Sequence, residues 1–121
     1  MVRADDSQLM IARLEHVASN EGVIAVGRVC KGKIQIDDIF DVVRYYIYEM
    51  DTDGRPKQGA GIAKAKVWLR VIDIHCDGHE LAEAEEGMVV GLELKGIGQE
   101  QLRVNEVLGG ICNGKQELPS N

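Results

Sequence analysis

The sequence predicts an all-β protein, a small closed antiparallel β-barrel. Three observations carry that reading. Apolar and β-branched residues come in short runs separated by Gly and Asp turns. No stretch holds a helical period over about three turns. Two stretches, residues 25–40 and 87–97, each read as strand, tight turn, strand. Closure suits such strands, because a small sheet with open edges invites edge-to-edge association.

The elements follow in chain order. Residues 1–8 are polar and expected to fray, residues 9–112 make a single domain, and residues 113–121 read as a mobile tail. Leu9 to Val17 is a strand candidate, closed by the turn chemistry of residues 18–22. Gly22 to Cys30 is apolar on both faces, as a central strand is. Gly27 within it removes a side chain where the sheet bends or another chain passes. Lys31-Gly32-Lys33 makes a turn, Ile34 and Ile36 share a side, and Asp37-Asp38 turns the chain again. Ile39 to Tyr48 is a long strand holding four of the chain's five aromatic residues. Residues 51–61, rich in Asp, Gly and Pro, read as a loop at the tip of a long hairpin.

Ala63 to Ile74 is the next strand and carries the single tryptophan, Trp68. Asp77-Gly78 is a two-residue hairpin signal, and it predicts the pairs Cys76 with His79, His75 with Glu80 and Ile74 with Leu81. Leu81 to Glu86 is short and acidic. Met88 to Lys95 alternates, with Val90, Leu92 and Leu94 on one face and Glu93 and Lys95 on the other. Gly98 to Val104 is a polar connection with one helical turn, and Glu106 to Ile111 closes the sheet. No internal repeat is evident in the residues themselves.

Composition bounds the function. The chain has 121 residues, 45% of them hydrophobic, and a formal net charge of -6, enough apolar content for one core. That acidity opposes phosphate backbones, since nucleic-acid binders carry a basic footprint. The three cysteines, Cys30, Cys76 and Cys112, match no disulfide or zinc framework. No apolar run reaches the roughly 18 residues of a membrane span, and the start lacks a signal-peptide core. The expectation is a cytoplasmic protein with free thiols, no membrane contact and no cofactor.

Residues Gly27-Arg28-Val29-Cys30-Lys31-Gly32-Lys33-Ile34, followed later by Gly87, Val90-Gly91-Leu92, Gly96-Ile97 and Val107-Leu108, resemble the second domain of elongation factor Tu and related translational GTPases. The resemblance spans residues 9–110 and implies a β-barrel of this size. The chain departs from those GTPases in having no Gly-x-x-x-x-Gly-Lys-Ser/Thr loop, no following barrel and a longer stretch at residues 51–61. In elongation factor Tu this barrel helps hold the aminoacyl end of tRNA. The resemblance implies that Asp73 and His75 stand at the matching positions, while Cys76 replaces an Arg that suits RNA. The simpler reading of Asp73 and His75 is as solvated residues on the outer face.

Other constellations are less complete. Cys76 and His79 are the metal candidates, as soft sulfur plus imidazole suits zinc, but zinc takes three or four protein ligands. Asp51-Thr52-Asp53-Gly54 opens like a calcium loop, yet Arg55 and Ile62 stand where that pattern needs oxygen donors. Glu83, Glu85 and Glu86, with Glu80, form an acidic cluster. No catalytic set is local. The function expected is therefore a non-catalytic module that binds a protein partner, through Tyr45, Tyr46 and Tyr48 on the long hairpin and through Glu83, Glu85 and Glu86. The alternatives are a binder of RNA or of an aminoacyl end through Asp73 and His75, and a small metal protein through Cys76 and His79.

Overall fold

The computed structural model describes residues 7–16 and 22–110, with the side chains of residues 47–49 and 56–60 left out of the description. Among the described residues nine strands form: β1 (Gln8–His16), β2 (Val23–Lys31), β3 (Lys33–Gln35), β4 (Ile39–Met50), β5 (Pro56–Cys76), β6 (His79–Leu81), β7 (Glu83–Glu85), β8 (Val89–Ile97) and β9 (Val107–Gly109). A 3-10 turn, Gln99–Gln101, joins the last two. The protein is all-β. Six strands pair antiparallel in the order β4-β9-β1-β2-β8-β5, and β5 returns to β4, so the sheet closes as a ring. β6 hangs on β5 through the hairpin, in the register that Asp77-Gly78 predicts. β3 and β7 make a separate two-stranded sheet.

Alternation puts the core inside this ring. Leu9, Ile11, Ala25, Val29, Phe40, Val43, Leu69, Val71, Ile74, Leu92, Leu94 and Leu108 are fully buried. Each large aliphatic side chain taken out of water contributes about 1.5–3 kcal/mol. Ile34 of β3 and Ala84 of β7, paired across the small sheet, are also fully buried and join the same core. Gly27 answers its sequence reading: a Cβ there would stand 1.9 Å from the Met10 carbonyl oxygen of its paired strand β1, next to a register shift, so no side chain fits.

Four features differ from the sequence expectation. Order extends to Ser7 and Gln8, which are buried: Ser7 Oγ accepts the Lys33 N–H at 3.1 Å and Gln8 Oε1 accepts the Tyr46 hydroxyl at 3.2 Å. The expected loop at 51–61 is shorter, because β5 starts at Pro56 and pairs with β4 from Met50 inward. Pairing with a long neighbour overrides the Gly- and Pro-rich composition. The closing strand spans only Val107–Gly109. The fourth is an internal repeat that the residues hide. Residues 31–40 and 81–90 pass through the same succession of strand end, short strand, turn and strand start. Asp37 N–H donates to Val71 O and Val71 N–H to Asp38 O, both at 2.9 Å; Gly87 N–H donates to Val29 O and Val29 N–H to Met88 O, at 2.7 and 2.8 Å. The expected turn at 18–21 and the tail at 113–121, with Cys112, lie outside the described residues.

Candidate functional site

The richest surface is the outer face where β2, β8 and β5 run side by side. A β-bulge builds it. Val71 pairs with Leu94, but Asp73, not Ile72, pairs with Glu93. The extra residue resets the alternation, so Val71 and Ile74 both point into the core, while Asp73 and His75 face outward. Bulges re-aim side chains in this way. Glu93 is outward by the strict alternation of β8, between buried Leu92 and Leu94. Asp73, His75 and Glu93 thereby converge: one donor atom of each lies within 4.8 Å of the others, and all three residues are half-buried. Among the described residues it is the one group of three or more His, Cys, Asp or Glu side chains set to share an ion.

A shallow groove runs beside this trio, lined by His75 and Cys76 with Ile24, Val26, Val89 and Gly91. Gly91 leaves its floor open, since a Cβ there would meet only the Ile24 and Val26 methyls at 3.6 and 3.7 Å. A second groove lies further along the same two strands, lined by Trp68, Arg70, Ile72, Lys95, Ile97 and Gln99. The Arg70 guanidinium stands 5.5 Å from the Trp68 ring centroid, a cation–π distance. Trp68 is nearly buried, and its Nε1–H has no hydrogen-bond partner among the described residues.

The remaining sequence candidates separate. Asp73 and His75, matched to the aminoacyl-end contact by resemblance, do stand together, and Glu93 joins them. That third member is missed by sequence reading, because alternation gives its face but not its cross-strand neighbour. Cys76 and His79 are opposite each other. Cys76 packs against the core and His79 is exposed; no third donor joins them among the described residues. Among the described residues Cys30 and Cys76 form no disulfide, and the Cys30 thiol lies 3.6 Å from Gln8 O.

Two members of the acidic cluster, Glu83 and Glu86, are engaged within the molecule. Glu83 ion-pairs with Lys33 at 3.2 Å and accepts from Gln35 at 3.4 Å, and Glu86 accepts the Gly32 N–H at 3.1 Å. These bonds fasten β3 to β7; Glu85, directly opposite Lys33, is exposed. The tyrosines divide as well. Tyr46 faces Gly61, where its ring occupies the space a side chain would need, and its hydroxyl reaches Gln8. Tyr45 faces outward, opposite Ile62, with both exposed. Tyr48 pairs with Gln58 along the backbone, and its side chain lies outside the description.

No helix among the described residues is long and apolar enough to cross a membrane, a statement that does not bear on strands. No protein-family model matches the chain, and no curated protein matches it.

Proposed function

We propose that the six-strand ring is a β-barrel of the translation-factor type, and that the chain is a non-catalytic interaction module binding a protein through its β4–β5 arm. One observation carries this reading. Beyond Arg44, β4 has β5 as its one neighbour among the described residues, and before Trp68, β5 has only β4. The two strands therefore run on past the ring as a ribbon. Tyr45 and Ile62 form an outward cross-strand pair, 39% and 37% exposed, and Met50 near the tip is 68% exposed. A two-stranded ribbon is marginal alone in water, and its open edges are templates for another strand. The charged residues between positions 55 and 66 are Arg55, Lys57, Lys64 and Lys66, all basic, in a chain of net charge -6. An acidic extended segment of a partner protein complements that strand. Cysteines outside any disulfide suit a reducing compartment, and a cytoplasmic setting belongs to the same proposal.

The aminoacyl-end reading has weaker support, since Glu93 beside Asp73 makes that face more negative and phosphate is repelled. The test is a photo-crosslinking amino acid at Tyr45, with exposed Glu80 as the control position, in cells that express the chain. A protein adduct from position 45 that survives ribonuclease and is absent from position 80 is the expected result. An adduct that disappears with ribonuclease transfers the assignment to RNA, and no adduct at position 45 overturns it.

A further inference from the structure

We propose that Asp73, His75 and Glu93 form a binding site for a divalent first-row cation of the zinc class. The arrangement of these residues is costly without a cation. Asp73 and Glu93 are directly opposite across the β5–β8 ladder, and like charges so placed destabilise a sheet. Among the described residues neither carboxylate has an ion-pair partner. The nearest cations along the same strands, Arg70 and Lys95, stand opposite each other further on, and Arg70 is engaged with Asp37 at 3.7 Å and with the Trp68 ring. The bulge at Ile72 is what brings the two carboxylates to one face, so the backbone departs from regular pairing to make this contact.

The third donor decides the class of ion. His75, two residues after Asp73 on the same face, adds an imidazole, and the three donor atoms lie within 4.8 Å of one another. Ligands about 2.0–2.2 Å from a tetrahedral zinc are about 3.4 Å apart, so small side-chain rotations close the set. One nitrogen and two carboxylates suit zinc or manganese; calcium prefers oxygen alone. The donors stand on two paired strands, which hold their backbones fixed. Three protein ligands leave a fourth position for water or a ligand group. Asp73 and His75 stand on the part of β5 that is paired with β8 in the ring, after Trp68, and the site is tested independently of what the arm binds.

The experiment is calorimetric titration of zinc into tag-free, chelator-treated full-length protein, with a melting curve at each end point. One equivalent of zinc bound per chain, and a higher Tm when loaded, are the expected results, because an ion that binds only the folded state stabilises it. Glu93→Gln and His75→Ala weaken binding by more than about tenfold, since even outer changes around metal sites cost about 10–100-fold. Glu93→Gln removes a like-charge contact, so its metal-free Tm equals or exceeds that of the wild type, and its loss of binding is not a loss of fold. Cys76→Ser and His79→Ala bind zinc as the wild type does. The proposal is overturned if zinc is not taken up saturably below about 1 mM, far above the dissociation constants expected of such sites. Uptake unchanged in Glu93→Gln, or abolished by Cys76→Ser, overturns it equally.

Discussion

Asp37 and Gly87 hold equivalent places in the two halves of the ring. Each adopts a positive φ, 72° and 94°, and each donates its N–H to the carbonyl of a buried core valine, Val71 and Val29. The repeat is thus one of backbone conformation, filled once by an Asp that tolerates the left-handed region and once by a Gly that favours it. The two sites respond differently to exchange. A Cβ at Gly87 would meet nothing within 4 Å, so Gly87→Ala costs only backbone strain, about 1–2 kcal/mol. Asp37→Gly changes stability by less than about 0.5 kcal/mol, since its ion pair with Arg70 is exposed and adds little. Urea titration of the two variants checks both; equal losses would show that the turns are not equivalent.

The same repeat places Ile34 against Ala84 at the heart of the small β3–β7 sheet. Both are fully buried, and their volumes are complementary, one large and one small. Ile34→Ala leaves a cavity in the ring's core and costs about 2–5 kcal/mol. Its double mutant with Ala84→Ile recovers part of that loss, because neighbours in contact are not additive. A double-mutant cycle by chemical denaturation measures the coupling. A coupling near zero would show that the two side chains do not share one packing space.

Much of this was legible in the residues, and the gaps have physical causes. The Asp77-Gly78 hairpin and the alternation of β8 are local signals, and both gave the observed register and face. The β3–β7 pairing is not local: Lys33-Ile34-Gln35 has no feature that names Glu83-Ala84-Glu85 as its partner. Pro56 to Gly61 reads as loop because Gly and Pro disfavour strands, yet β4 supplies a ladder that sets them extended. The convergence of Asp73, His75 and Glu93 depends on a bulge at Ile72, whose side chain gives no sign of it. Sequence thus reports the face a residue takes, while tertiary pairing decides what it meets.

Gly27 and Gly91 give a paired test of close approach. Both lie on the β2–β8 ladder, in adjacent pairs. A Cβ at Gly27 would stand 1.9 Å from a backbone oxygen, which cannot rotate aside; at Gly91 the nearest atoms are methyls at 3.6 and 3.7 Å. Gly27→Ala therefore costs about 3 kcal/mol or more through forced backbone movement. Gly91→Ala is neutral or stabilising by about 0.4–1 kcal/mol, because it restricts the unfolded chain. Thermal melts of the two variants decide; a tolerated Gly27→Ala would mean that the β1 backbone does not approach Gly27 so closely.

The β4–β5 arm differs from the ring in what holds it. Ring strands have two neighbours and a buried face, whereas past Tyr45 the ribbon has one ladder. Its base is fastened by Lys64, which donates to Gln101 O at 2.7 Å and pairs with Glu106. Local stability follows the number of ladders and the apolar area covered. Amides of residues 46–50 and 57–61 are expected to exchange with deuterium at least about tenfold faster than those of Ala25, Val71 and Leu92, in keeping with opening energies at least about 1.4 kcal/mol lower. Lys64→Ala widens the difference by freeing the base, while Ile62→Ser leaves the global Tm within about 2 °C because that side chain is part-exposed on the arm and outside the ring's core. Hydrogen exchange read by mass spectrometry separates these outcomes. Uniform protection across arm and ring would mean that the arm is covered by further structure, and would leave Tyr45 and Ile62 without a free surface to offer a partner.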